Sequence, residues 1–360
     1  MASQNSPKYN RQVAVIAYAQ TPYVRSERRR NEVEMLMPVI AEAVEKSGLP
    51  RQEIGFTCSG SSDYIAGQAF SFVGAVDALG AWPPIRESHV EMDGAWALYE
   101  AWIKIQTGEV DSALCFCFGR SSMGDPAETM ILQLDPYTLA PLGPDAISLA
   151  ALQARALLDS GRYTSVDLAE VAARSRRNAR SNPDAQLVGD LAGEDLLDEP
   201  YLVSPLHRYD CPPISDGAAA IVIAAEEVAR RVCSRPIWIR GIDHRIEPHQ
   251  PGARDLTRSP STRLAAEKAG ASDGRIDVAE LHAPFTPQEL ILRDELRLAG
   301  DVRINPSGGA LAANPLMVAG LARIGEATRE IAAGRAQRAR AHATSGPCLQ
   351  QNLVCVLEAD

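Results

Sequence analysis

No GxxxxGK[ST] phosphate loop occurs in this sequence, and no GxGxxG follows an apolar strand-like run. Nucleotide hydrolysis and dinucleotide redox chemistry therefore lose their usual sequence support. Metal-ligand spacing is missing too. The six histidines, His89, His207, His244, His249, His282 and His342, form no HxxxH or HxH pair, and His244 and His249 fall in a loop containing Pro and Gly. The seven cysteines, an odd number without a CxxC pair, argue against a disulfide framework and a structural zinc site. No apolar run comes near the roughly 20 residues that span a bilayer. Met1 to Asn10 is polar and has no signal-like apolar core. Positive charge is not in excess: the net charge of −10 gives no electrostatic support to nucleic-acid binding or a polybasic membrane role. The one basic run, Arg25 to Arg30, reads as a solvated loop, with contact to nucleotide phosphates as the sharper alternative. The expectation is a cytoplasmic protein with no membrane span and no metal of its own.

What the chain does have is enough apolar residues, 46% of 360, for a large core and at least two domains. Apolar, branched runs at 12–19, 54–58 and 112–118 read as strands. Helical spacing at 31–47, stopped by Gly48-Leu49-Pro50, and at 94–106 reads as helices. This alternation predicts an α/β fold with a parallel-type sheet covered on both faces. Cys115 and Cys117 sit in an apolar strand and count as core. From 120 to 207 the pattern changes to helical patches at 146–158 and 166–178 between Gly, Pro and Asp-rich turns. We read this as an insertion over the sheet that forms part of a pocket rim. The strand at 218–225 then closes a first half, made of 1–119 and 208–227. The remainder, 228–360, repeats the plan: strands at 236–241, 278–282, 340–344 and 353–357, with helices at 259–269, 286–298 and 319–333.

Two strings stand out. Asn305-Pro306-Ser307-Gly308-Gly309-Ala310-Leu311-Ala312-Ala313-Asn314-Pro315 reads as a glycine turn opening a helix, and helical character continues from Leu316 to Ile324. Gly308 and Gly309 permit positive φ or close approach of a ligand, and a helix start suits a carbonyl oxygen or carboxylate. Ser215-Asp216-Gly217-Ala218-Ala219-Ala220 is a polar turn running into a small-residue strand. Together they resemble the thiolase superfamily, with its SDGAAA-like strand and NPSGGxxAxGHP-like turn. Glu280-Leu281-His282-Ala283-Pro284-Phe285 resembles the HDCF-type motif of sterol carrier protein thiolases. Asp93-Gly94-Ala95-Trp96-Ala97-Leu98 resembles the helix start after the thiolase nucleophile. The likeness runs along nearly the whole chain and is strongest to the lipid-transfer-protein branch, the thiolase-like aldolases of steroid side-chain breakdown. It implies a five-layered αβαβα fold of two stacked similar halves with an inserted loop region. It also implies a coenzyme A thioester as substrate with no covalently bound cofactor, a homodimer, and a small zinc-ribbon/OB-fold partner protein that would hold any zinc.

The resemblance also exposes what has been lost. Glu91 falls where the nucleophilic cysteine stands, Ala313-Asn314-Pro315 replaces Gly-His-Pro, and Gly346 falls on the second cysteine, with Cys348 two residues on. Only His282 survives. Claisen chemistry through an acyl-cysteine is therefore not expected. Retro-aldol cleavage of a β-hydroxyacyl-CoA needs a base, a proton source and donors for a growing enolate, but no sulfur. Glu91 or His282 is the expected proton carrier and Asn314 the expected oxyanion donor. Asp93, His89, Gly308, Gly309, Gly346 and Cys348 are the expected pocket neighbours. Each has a plainer reading: Glu91 and Asp93 as helix caps, His89 and His282 as strand-end packing, Asn314 as a turn former, Asp216 as an ordered turn. Tyr209, Trp82 and Trp96 suit a cavity for a sterol nucleus, yet bulky aromatics are usually core. The rival function is a catalytically silent subunit that binds acyl-CoA or lipid. Acyl transfer using Cys58 or Cys348 is the third reading.

Overall fold

The computed structural model describes residues 11–80 and 85–360; Met1 to Asn10 and Trp82 lie outside the described residues. Ten strands form one sheet: β1 (Val13–Gln20), β2 (Phe56–Gly60), β3 (Glu87–Val90), β4 (Ser112–Arg120), β5 (Asp216–Ala225), β6 (Ile237–Ile246), β7 (Val278–Leu281), β8 (Arg303–Ile304), β9 (Arg338–Ser345) and β10 (Gln351–Glu358). The helices that cover it are α1 (Glu32–Ser47), α2 (Gly94–Gln106), α3 (Ala146–Asp159), α4 (Ser165–Ala179), α5 (Pro260–Lys268), α6 (Thr286–Glu295) and α7 (Ala319–Ala332).

The strand order is β8-β7-β9-β10-β6-β1-β5-β4-β2-β3. Reading outward from the β1–β6 junction gives β1, β5, β4, β2, β3 on one side and β6, β10, β9, β7, β8 on the other. Each side begins with two antiparallel pairings and ends with two parallel ones. The two halves are therefore topological copies. The sheet is mixed, which corrects the expectation of a parallel one. Apolar runs mark strands buried on both faces whichever way their neighbours run, so direction was not encoded in them.

Alternation along the strands sorts residues into layers. On β4, Ala113, Cys115 and Cys117 face one core, while Leu114, Phe116 and Phe118 face another. The first core surrounds α2 and α7 and takes in the inner faces of both halves. α1 covers the outer face of the first half. α4, α5 and α6 cover that of the second. Five layers, αβαβα, result. α1 starts at a capping box, in which the Asn31 side chain accepts from Glu34 N–H at 2.8 Å and Glu34 accepts from Asn31 N–H at 2.9 Å. It stops at Gly48 with φ +70°.

Polar groups in the central layer hold the halves together. Asp93, 2% exposed, accepts the N–H of Ala95 at 2.8 Å, of Gly320 at 2.8 Å and of Leu321 at 2.9 Å. One carboxylate thus caps both α2 and α7. Glu280 on β7 is fully buried and accepts from Ser307 N–H, Ser307 Oγ–H and Arg323 on α7, at 2.9, 2.7 and 2.8 Å. These bonds tie the 305–309 turn to the strand that leads into His282.

Candidate active site

β7 ends at Leu281, and the chain turns through His282 to Pro284 before α6 begins. Beside it lie the C-terminal end of β9 with the following 346–348 turn, and the 313–316 segment, which bridges to Ser215 just before β5. The 121–150 segment closes over these ends. Between them is a cavity of 280 Å³ lined on its walls by Met130, Leu134, Ile147, Pro213, Phe285 and Leu316, with Asn314, Thr344, Gly346 and Cys348 on its floor. Asp125 and Asp145 also line it, each also a helix N-cap. An apolar chamber with a few converging polar groups is what a small-ligand site requires.

The floor has a defined electronic state. His282 Nδ1 accepts the Thr344 N–H at 3.3 Å, which leaves the ring proton on Nε2. Nε2 donates to Asn314 Oδ1 at 3.0 Å. With its oxygen engaged, the Asn314 amide must present its NH₂ elsewhere; that group makes no hydrogen bond among the described residues, and the residue borders the cavity. Asn314 N–H donates to Ser215 Oγ at 3.0 Å, fixing the backbone as well. Burial pushes the His282 imidazole down to about 3, against the pull of its bond to Asn314. The ring is therefore neutral across the physiological range. Its folded pKa lies below the unfolded value, so this group lowers stability as pH falls from about 6.5 towards 3. Nuclear magnetic resonance of the labelled ring should show no titration between about pH 5 and 8; an ordinary inflection there would contradict the bonding at Nδ1.

Several expected neighbours stand elsewhere. Glu91 is not partly buried in a nucleophile pocket: its side chain is 48% exposed, it accepts the Asp63 N–H at 2.7 Å, and it does not line the cavity. It ties the end of β3 to the short helix Asp63–Ala66. His89 stands next to it, Nε2 3.5 Å from the carboxylate, with Nδ1 3.0 Å from Ser59 Oγ and its ring stacked on Phe72. Asp93 is the double cap described above. Gly308 and Gly309, at φ +96° and +65°, face protein: a Cβ on Gly308 would meet Ala179 at 2.7 Å, and one on Gly309 would meet Asn305 at 2.8 Å. They let the single-turn helix Gly309–Ala312 pack against α4, so the predicted helix start aimed at a ligand becomes a packing device. The helical run expected from Leu316 starts only at Ala319, because Met317 has φ +69°. Trp96 is core, Tyr209 packs on α4 and neither lines the cavity. Asp216 holds Glu27 N–H and Ser122 N–H at 2.8 and 3.0 Å, ordering its turn.

Asn314, Gly346 and Cys348 do share the cavity, with His282 directly behind Asn314. Burial pushes the Cys348 thiol up to about 11 and Cys58 to about 12, so neither is a ready nucleophile. Sequence reasoning missed Asp125 and Asp145. Each precedes a helical patch, the usual N-cap signal, but nothing local says that its helix closes over a cavity. With Glu91 outside, Glu91→Gln should leave turnover within about twofold, as for other surface substitutions. Steady-state kinetics on an acyl-CoA substrate checks this.

No family model matches the chain. It is 28% identical over 272 residues to an acetyl-CoA acetyltransferase of Methanothermobacter thermautotrophicus, covering 68% of this chain and 70% of that one. Sterol carrier protein 2 of Bos taurus is 23% identical over 89% of this chain and 66% of its own length. The 17-hydroxy-3-oxo-4-pregnene-20-carboxyl-CoA lyase of Mycobacterium tuberculosis is 29% identical over 44% of each chain. Among solved structures, the Ltp2-ChsH2(DUF35) aldolase superposes with a TM-score of 0.81 at 22% identity, covering 97% of this chain and 98% of that one. That likeness shows the fold.

Proposed function

For a chain of the thiolase superfamily, related to sterol carrier protein 2 and to a steroid-CoA lyase, we propose carbon–carbon bond cleavage of a β-hydroxyacyl-CoA by a retro-aldol reaction. The products are a ketone or aldehyde and a shorter acyl-CoA, and a steroid side chain is the proposed substrate class. The observation that carries this reading is the Asn314 amide, turned toward an apolar cavity by a neutral imidazole. In the reaction a base takes the β-hydroxyl proton and the carbon–carbon bond breaks. The electron pair moves onto the thioester oxygen as an enolate, and the enolate carbon is then protonated. Asn314 Nδ2–H donates to that oxygen as its charge grows. His282, with both ring nitrogens occupied, orients the amide and transfers no proton in this scheme. The base is assigned to the cavity carboxylates. Asp145 is half-buried, and one of its oxygens caps Ser148 N–H at 2.7 Å while the other accepts no hydrogen bond among the described residues.

Relatives that are acetyltransferases support acyl-CoA as the substrate class without deciding the reaction. Both thiols named for acyl transfer are held protonated by burial, which favours cleavage without a covalent intermediate. The solved neighbour is a complex with a DUF35 protein. A small partner of that kind is part of this reading, as is a homodimer through the free edge of β3. Among the described residues no helix is long and apolar enough to cross a membrane. The test is incubation with a β-hydroxyacyl-CoA, with and without the candidate partner, while following released carbonyl product and acyl-CoA. Saturable binding with no turnover in either case would leave a silent acyl-CoA-binding subunit. An acyl group trapped on a cysteine would restore the acyltransferase reading.

A further inference from the structure

At the other end of β7 and β9 from Asn314 lies a second cavity, of 530 Å³, between the C-terminal ends of α5 and α6. Four arginines line it, Arg263, Arg275, Arg297 and Arg340, against three carboxylates. Ion pairs take up two of these carboxylates and two of the arginines, Glu295 with Arg263 (and with Arg258 from outside) and Asp301 with Arg275, which leaves Arg297 and Arg340 against Glu267. Arg340 is the unusual member. It is 6% exposed, yet no carboxylate among the described residues pairs with it. Its Nη1 and Nη2 donate to the carbonyls of Leu296 and Ala271, both at 2.6 Å, and its Nε has no partner. Two residues away on the same strand, Arg338 stands outside the cavity lining; it pairs with Glu358 at 3.1 Å, and its Nε has no hydrogen-bond partner among the described residues. Burial, with Arg338 adding to it, pulls the Arg340 guanidinium down to about 10. A buried cation without a counter-ion is costly. Arg297, at φ +50°, stands exposed on the rim with no side-chain partner among the described residues. This basic lining is set in a chain of net charge −10.

We propose that this cavity is an anion-binding site for a small oxyanion, phosphate or carboxylate, with the buried guanidinium of Arg340 as its fixed charge and Arg275 and Arg297 as the closing arms. Guanidinium forks suit the geometry of both anions. Part of the wall is apolar (Ile276, Leu298 and Val302), so the ligand can carry a hydrocarbon body. The inference does not depend on the reaction proposed for the first cavity. It is tested by titration calorimetry of the full chain with pyrophosphate and, separately, citrate, the two arms distinguishing phosphate from carboxylate. Because removing Arg340 can impair folding, the variant is the exposed pair Arg275→Gln/Arg297→Gln. Saturable binding of either anion, weakened at least about tenfold in the double variant, is the expected result. Absence of saturable binding, or binding that the double variant leaves unchanged, overturns the proposal.

Discussion

Replacing Asn314 by alanine is expected to lower kcat for β-hydroxyacyl-CoA cleavage by roughly 10²–10³-fold, about 3–4 kcal/mol of transition-state stabilisation, with KM nearly unchanged. The asymmetry follows from when the bond matters: the thioester oxygen is weakly basic in the ground state and gains charge only as the carbon–carbon bond breaks. Alanine also leaves the buried His282 Nε2–H without its acceptor at 3.0 Å, so a loss of stability accompanies it. Asn314→Asp separates the two effects. A carboxylate still accepts from His282 but cannot donate, and it puts negative charge where the enolate forms, so the loss of kcat should be at least as large with the fold intact. Stopped-flow or discontinuous product assays on both variants decide this. Turnover within about threefold of wild type would remove Asn314 from the mechanism.

The second large effect concerns stability. Arg323→Met should destabilise the protein by about 3–5 kcal/mol, because Glu280 would keep a buried charge without its cation. Arg323 is 2% exposed and Glu280 fully buried, so solvent cannot substitute for the lost partner. Burial already pushes the Glu280 carboxyl up to about 7 with Arg323 in place. Without that cation it moves higher. A carboxyl whose folded pKa exceeds its unfolded value costs stability as pH rises above the unfolded value. The deficit of Arg323→Met relative to wild type should therefore be smaller at pH 5 than at pH 9. Urea unfolding at both values tests it, and a deficit that shrinks with rising pH would contradict the assignment. Adding Glu280→Gln to Arg323→Met should recover part of the loss.

How much of this was legible beforehand differs by kind of residue. α2 was readable to the residue because Asp93-Gly94 supplies a cap and the apolar spacing runs unbroken to Gln106. The long strands β4, β5 and β10 were likewise marked by branched and small apolar runs. β3 and β8 were not, since four half-buried residues and two residues carry no periodic signal. Asn314, Gly346 and Cys348 were found through their places in motifs, and the structure sets them around one cavity. Glu91 was named by the same reasoning and stands outside. A motif position fixes where the backbone runs, but the carboxylate follows its local donor, the Asp63 N–H, which belongs to another loop.

Sequence alone determined the α/β class, the repeated order of elements and the presence of Glu91 and Gly346 rather than cysteine at those positions, because each depends on residue type and on neighbours a few positions away. Strand direction, the double role of Asp93 and the neutral, proton-fixed state of His282 were decided only in three dimensions. Each depends on groups far apart in the chain: Asp93 with Gly320, His282 with Thr344 and Asn314. Burial then sets the cost of every charge at those contacts, and burial exists only once both halves have closed on α2 and α7.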